Sequence, residues 1–198
     1  MHTEFEERKD KKRQATINNI ADNIFITSDT HFNHTSILKY EDRPFETVEK
    51  MDEEMIKRWN NVVSKYDKVF HLGDFAFANR EKTREYVEQL NGYKILIMGN
   101  HDKRKSIKFY LDVGFDEVSK HPIIYKEWYI LSHHPIYINE NMPHINLHGH
   151  THKMRNPRVN NTRDGDGHIN VCVENWEYTP QRLKVVLDKC VIEQQQKP

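Results

Sequence analysis

Five short apolar runs in this 198-residue chain each end in a residue type that binds metal ions. The runs begin at positions 25, 69, 95, 130 and 145. Such a run is typical of a buried parallel strand, and the residue after it lies at the sheet edge where ligands bind. Five strand ends that converge on one place would form a two-metal hydrolytic site. The candidate ligands are Asp29, His31, Asp74, Asn100, His133 or His134, His150 and His152.

The segments between these runs must position the ligands. Residues 47–65 repeat apolar side chains at helical spacing and predict an amphipathic helix between the first two strands. Residues 79–90 predict a second helix, ended by Asn91-Gly92, and residues 106–113 predict a third. Because strands and helices alternate, we expect the sheet to begin as a largely parallel one.

The second half of the chain has a different pattern. Residues 123–125 and 128–131 are strand-like and are separated by Lys126-Glu127, which predicts a hairpin. Residues 153–167 predict a polar loop near the site, and residues 168–173 predict a returning strand. A run of charges between residues 4 and 14 indicates a solvated arm or helix. We therefore expect an arm over residues 1–19 and one domain over residues 20–198.

The composition argues against several classes of protein. Lys plus Arg and Asp plus Glu number 30 each, so the overall charge gives no reason to expect nucleic-acid or membrane binding. No apolar stretch approaches the roughly 20 residues of a spanning helix, and the first residues lack the apolar core of a secretion signal. Cys172 and Cys190 match no zinc or disulfide framework and are interpreted as free thiols. We expect a cytoplasmic protein with no membrane partner.

The order of the ligand blocks carries a family resemblance. From Phe25 to Trp176 the chain resembles the calcineurin-like metallophosphoesterase family, and its Thr-His-Phe-x-His opening and Arg-Pro-Phe segment are similar to small bacterial and phage members. The resemblance implies an α/β fold, a four-layer αββα sandwich of two mixed sheets. The blocks are Asp29-Thr30-His31, Gly73-Asp74, Gly99-Asn100-His101-Asp102, Ser132-His133-His134-Pro135 and Gly149-His150-Thr151-His152.

The resemblance also implies how two divalent metal ions share the ligands. Asp74 is the candidate bridge, because one carboxylate can offer an oxygen to each cation. Mixed oxygen and imidazole ligands suit Mn, Fe, Zn or Ni, and manganese is favoured. The other ligands form two sets, Asp29 with His31 and His152 for one ion, and Asn100 with His133 and His150 for the other.

The reaction implied is metal-dependent hydrolysis of a phosphate ester. A hydroxide held between two cations about 3.5 to 4 Å apart would attack phosphorus in line. His101 would protonate the leaving oxygen as general acid, with Asp102 orienting it. The substrate is expected to be a phosphodiester or a nucleotide, including a nucleic acid, because no accessory domain is evident to cover the site. The alternatives are a phosphomonoesterase acting on a small molecule or protein, and a metal-bound binding module without turnover.

Three further residues are candidate substrate contacts. His34 and Arg43 can donate to anionic oxygens, and the alternatives are a cap for His34 and a structural or surface pair for Arg43. His134 would contact substrate or support the site if His133 is the ligand, as the family pattern favours. His71 and His148 are expected to be hydrogen-bonded core histidines.

Overall fold

Nine short strands form two sheets among the residues that the structure describes. The structure is a computed structural model, and it describes residues 22–139, 142, 144–153 and 167–188, together with residues 8, 11 and 15. The strands are β1 Ile24–Thr27, β2 Lys68–His71, β3 Tyr93–Ile97, β4 Glu117–Ser119, β5 Ile123–Tyr125, β6 Tyr129–Ser132, β7 Ile145–His148, β8 His168–Asn170 and β9 Gln181–Arg182.

Both sheets are mixed. The first has the order β4-β3-β2-β1-β9, in which only β9 runs antiparallel to its neighbour. The second has the order β5-β6-β7-β8, in which β5 and β6 form the expected antiparallel hairpin and the remaining pairs are parallel. The carboxyl ends of β1, β2 and β3 therefore share one edge, and those of β6 and β7 share another.

The predicted helices are confirmed with slightly shorter bounds. Thr47, Asn79 and Ser106 precede three of them, and each side chain accepts a backbone N–H of the first turn, which fixes where the helix begins. Residues 183–188 are also helical. No helix in the described ranges is long and apolar enough to cross a bilayer. The helices are α1 Ile37–Tyr40, α2 Val48–Val62, α3 Arg80–Gln89 and α4 Ile107–Asp112, with single 3₁₀ turns at Asp102–Arg104 and Val173–Trp176.

Two apolar cores lie on opposite faces of the first sheet. Alternate strand residues, such as Phe25 and Ile26, belong to different clusters because successive side chains point to opposite faces. The first cluster joins Phe25 to Trp59 of α2 and Tyr86 of α3. The second joins Ile26 to Leu131 of β6, so the two sheets pack face to face. This is the expected α/β sandwich of two mixed sheets with helices.

Several expectations fall partly outside the described residues. The charged arm, most of the polar loop between Lys153 and Gly167, and Cys190 lie there. Cys172 is described and is a buried free thiol, as predicted.

Candidate metal centre

The candidate ligands follow the carboxyl ends of five strands, and backbone hydrogen bonds draw those ends together. The amide of Asp29 donates to the carbonyl of Gly73 at 3.0 Å, and the amide of Gly149 donates to the carbonyl of His133 at 3.0 Å. The His150 amide then donates to Asp29 Oδ2 at 2.9 Å, which links the two sheets. The candidate ligand residues of both sheets thus lie close together, and their binding of metal stays a prediction.

Five of these residues have left-handed backbone, a conformation that non-glycine residues seldom adopt. Their φ angles are 59° for Asp29, 51° for His31, 55° for Asp74, 69° for His150 and 46° for His152. Asp and His are among the side chains that tolerate this region. Sharp turns at these positions let side chains at the strand ends point toward a common centre.

One group of donors surrounds Asp29. One ligand atom each from Asp29, His31 and His152 lies within 4.8 Å of the others. Asp29 Oδ1 is 3.8 Å from the Nε2 atoms of both histidines. Asp29 Oδ1 and His31 Nε2 are buried and have no hydrogen-bond partner among the described residues. Unsatisfied buried polar atoms are costly, and a cation between them would satisfy both.

Asp74 lies between this group and the second one. Its Oδ2 is 3.7 Å from His31 Nε2 and 3.5 Å from His133 Nε2. Its Oδ1 accepts the His101 amide at 2.9 Å, which fixes the carboxylate. Burial and the nearby carboxylates of Asp29 and Asp102 raise the pKa of Asp74 to about 8. Crowded carboxylates of this kind are stabilised as anions by added positive charge.

The second group contains His133, His134 and His150, with one ring nitrogen from each within 4.8 Å of the others. His133 is buried, and its Nδ1 donates to the Leu72 carbonyl at 2.8 Å. Its Nε2 faces Asn100 Oδ1 at 2.7 Å. In neutral His133 this places two acceptor atoms together, an arrangement that a cation would resolve. His134 is exposed, with its ring centroid 4.1 Å from that of His150.

The pKa shifts of two candidate ligands, His31 and His150, fit metal binding, which requires a neutral ring. Burial lowers the pKa of His31. Burial together with His134 and His133 lowers the pKa of His150 to about 4. Both rings are therefore neutral at pH 7.

Glu174 is a residue of the site that the sequence analysis missed. Its Oε1 accepts from His152 Nδ1 at 2.8 Å, which leaves His152 Nε2 facing Asp29. Although burial opposes a charge there, the Glu174 hydrogen bond raises the pKa of His152 overall. A carboxylate behind a metal-binding histidine fixes the ring's orientation and tautomer. Glu174 follows the family blocks in the chain, so no motif marked it.

Arg43 is buried behind the centre rather than open to it. Its Nε and Nη2 donate to Glu174 Oε1 at 3.0 and 2.6 Å. Its remaining donors reach the carbonyls of Thr30 and Asp29 at 2.9 and 2.7 Å. With its side chain fully buried and its donors occupied, this geometry favours the structural alternative for Arg43 over contact with substrate.

Asp102 is also buried, and its hydrogen bonds hold the ligand turns. It accepts the amides of Asp74 at 2.6 Å and Gly99 at 2.8 Å through Oδ2. Its Oδ1 accepts the Phe75 amide at 3.3 Å and the Tyr110 hydroxyl at 2.7 Å. These four bonds occupy the lone-pair sites of one carboxylate. Orientation of the His101 ring by Asp102 stays a prediction.

His101 and His34 line the open side of the centre. The His101 side chain is 42% exposed, and its Nε2 is 3.8 Å from Asp74 Oδ2. His34 Nδ1 is 3.2 Å from His31 Nδ1, and its ring stacks on Phe77 with centroids 3.8 Å apart. Burial is the largest cause that lowers the pKa of His34 to about 4, and the neighbouring histidines are the next largest. A substrate contact by His34 stays a prediction.

Two glycines allow the ligand turns to approach one another closely. A Cβ atom at Gly99 would overlap Asp74 Oδ1, and one at Gly149 would overlap Ser28 Oγ and Asp29 Oδ2. The absence of a side chain at both positions therefore makes room for the carboxylates.

The fold and the order of these donors along the chain define a calcineurin-like phosphoesterase. Residues 23–168 match the family described as calcineurin-like phosphoesterase, and the chain belongs to this family. Members of the family generally bind divalent metals, and the donor groups around Asp29 and His133 are suited to them.

Particular relatives extend the similarity over most of the chain. The sequence is 37% identical over 175 residues to "Uncharacterized protein MJ1445" of Methanocaldococcus jannaschii, which covers 83% of this chain and 89% of the relative. It is 32% identical over 83 residues to "Gene 66 protein" of Mycobacterium phage L5, 40% of each chain. The crystal structure of a protein of unknown function, AQ665 from Aquifex aeolicus, is similar with a TM-score of 0.61 and 29% identity, covering 79% of this chain and 93% of that one.

Proposed function

We propose that this chain is a two-metal phosphoesterase that hydrolyses a phosphodiester or a nucleotide. The observation that carries the proposal is a pair of buried atoms, Asp29 Oδ1 and His31 Nε2, with no hydrogen-bond partner in the part of the chain that the structure describes. They lie beside an Asp74 carboxylate that also faces His133. A structural cluster would satisfy these atoms with protein donors, whereas this one leaves room for cations.

We assign the ligands to two sets that share Asp74. Asp29, His31 and His152 would hold one ion, and their convergence within 4.8 Å supports this set. Asn100, His133 and His150 would hold the other. His133 is preferred to His134 because it is buried against Asn100 and Asp74. Two ions bound there would lower the pKa of a water molecule and offset negative charge on the phosphoryl group.

His101 is the proposed general acid. During hydrolysis the water oxygen bonds to phosphorus while the bond from phosphorus to the leaving oxygen breaks, and His101 gives its proton to that oxygen. Its position beside Asp74, with its ring partly open to solvent, supports this role because a proton donor must reach an incoming ester. Asp102 positions the turns on both sides of His101 through the Asp74 and Gly99 amides.

The substrate preference is tested with two chromogenic esters. We expect Mn²⁺ to support faster hydrolysis of bis-p-nitrophenyl phosphate than of p-nitrophenyl phosphate, and EDTA to abolish both. Faster monoester hydrolysis would favour the phosphomonoesterase alternative. Metal uptake with no turnover on these esters or on nucleotides would favour the binding module.

A matched pair of variants controls this assay. Asp74→Asn removes the proposed bridge and should abolish turnover. Asp116→Asn makes the same change at an exposed position and should not. Equal activity in the two variants would contradict the metal assignment.

Manganese as native ion, a cytoplasmic location and the division into arm and domain stay predictions from the sequence.

A further inference from the structure

His101, which lies beside Asp74, also lines a cleft. It has a volume of about 480 Å³, within the roughly 300–1,000 Å³ typical of ligand pockets. Its walls come from the segment after β2, which includes Phe77 and Asn79, and from the segment after β3, which includes His101 and Arg104. The cleft is therefore lined by the proposed proton donor and by none of the candidate metal ligands.

The charge of the cleft is positive. Lys82, Arg104 and Lys105 line it, and none of the described residues that line it is acidic. Lys82 Nζ donates to Glu85 at 2.8 Å, and Lys105 Nζ donates to the Ala78 carbonyl at 2.8 Å. The guanidinium of Arg104 has no hydrogen-bond or ion-pair partner within the described ranges. An exposed arginine in an acid-free cleft is suited to bind a phosphate through two parallel hydrogen bonds.

We propose that this cleft binds a second phosphate carried by the leaving group, so that the favoured substrates are oligonucleotide-like diesters. The inference rests on the proposed function, because the cleft is lined by His101 and the leaving oxygen that His101 would protonate carries the group nearest to it. Hydrolysis then joins the water oxygen to the scissile phosphorus and releases an alcohol that still carries its own phosphate. Arg104 binds that phosphate, and the ring of Phe77 forms an apolar wall beside it.

The test compares three thymidine dinucleotides that share one scissile diester. The first carries no other phosphate, and the second and third carry one further phosphate on the 5′ or the 3′ end. Product analysis identifies which nucleoside leaves. For the wild-type chain, a phosphate on the leaving nucleoside should raise kcat/KM about tenfold, since charge-assisted hydrogen bonds are worth more than neutral ones. A phosphate on the other nucleoside should raise it less than twofold.

Arg104→Ala should remove most of that tenfold preference, measured as the ratio of kcat/KM between two substrates in the same preparation. The matched control is Arg84→Ala, because Arg84 lies on α3 outside the cleft and donates to the Asp112 carbonyl. This control should keep the ratio. A second readout needs no turnover: calorimetry in EDTA should show thymidine 3′,5′-bisphosphate binding about tenfold more weakly to Arg104→Ala than to Arg84→Ala.

The outcomes separate the two proposals. Hydrolysis of the plain dinucleotide with no increase in kcat/KM from the extra phosphate would overturn the proposed phosphate site in the cleft. The phosphodiesterase proposal would still stand. An unchanged tenfold preference in Arg104→Ala would also overturn the proposed phosphate site. If these dinucleotides, the chromogenic esters and nucleotides are all left intact, the proposed function fails. The bisphosphate titration then tests the cleft by itself, and equal binding to both variants would overturn the proposed phosphate site.

Discussion

Replacing Glu174 with glutamine removes one negative charge from behind the metal centre and leaves the size of the side chain unchanged. The carboxylate is fully buried, and its Oε1 serves both His152 Nδ1 and Arg43. The variant therefore leaves a buried guanidinium without its counter-charge, which costs on the order of 3 kcal/mol. It also weakens the hydrogen bond that orients His152, and loss of such support lowers metal affinity by about 10- to 100-fold.

Two measurements on the same preparation check these figures. Urea unfolding of the metal-free chain gives the loss of stability. The variant should still fold, because the free energy of unfolding of a typical protein is about 5–15 kcal/mol. Isothermal titration with Mn²⁺ gives the affinities, and we expect weaker binding only of the ion assigned to Asp29, His31 and His152. Glu177→Gln is the matched control, because it makes the same change at an exposed residue of the same segment.

Different results would refute different parts of the reasoning. If Glu174→Gln loses stability but binds both ions as tightly as the wild type, Glu174 stabilises the fold through its ion pair with Arg43 and does not position His152. If both ions are weakened equally, the two ligand sets are not independent. A variant indistinguishable from Glu177→Gln in both assays would reject the network altogether.

Three further predictions concern other parts of the molecule. His101→Asn should lower kcat by about 10²- to 10⁴-fold while Mn²⁺ affinity stays within about twofold, and a loss of metal binding instead would remove His101 from the role of acid. Gly149→Ala should destabilise the fold by about 1–3 kcal/mol or more in urea, because its methyl group would overlap Ser28 and Asp29; unchanged stability would show that the turn can relax. Burial raises the pKa of Asp52 to about 6, so the folded state keeps its proton to higher pH than the unfolded chain, and stability should fall by about 2–3 kcal/mol between about pH 4 and pH 6 and then level off. Asp52→Asn should flatten that part of the profile in urea titrations at several pH values, and an identical slope in both proteins would contradict the assignment.

The candidate ligand residues, which the structure brings close together, could be picked out from the sequence because the signal for each is local. An apolar run such as that before Asp29 predicts a buried strand, and the residue type that follows indicates what the strand end can bind. Helical spacing, which is also a local signal, placed Thr47, Asn79 and Ser106 at helix starts, where their side chains accept backbone amides. Parallel topology then required the ends to meet.

The supporting residues could not be predicted in this way, because their partners are distant in the chain. Arg43 and Glu174 are separated by 131 positions, so neither residue's neighbourhood indicates the other. Asp102 is adjacent to His101 and was expected to serve it, yet its hydrogen bonds go to the amides of Asp74 and Gly99 and to Tyr110. Such contacts follow from packing between elements, which no local pattern specifies.

The separation of Arg43 and Glu174 along the chain has a consequence for how the proposed metal centre would form. The hydrogen bond to Glu174 fixes the orientation of the His152 ring. The hydrogen bond from the His150 amide to Asp29 joins residues that are 121 positions apart in the chain. A chain that is still being synthesised would therefore lack the residue that orients His152 until residue 174 has emerged from the ribosome. We therefore expect fragments that stop before residue 174 to bind metal more weakly than the whole chain.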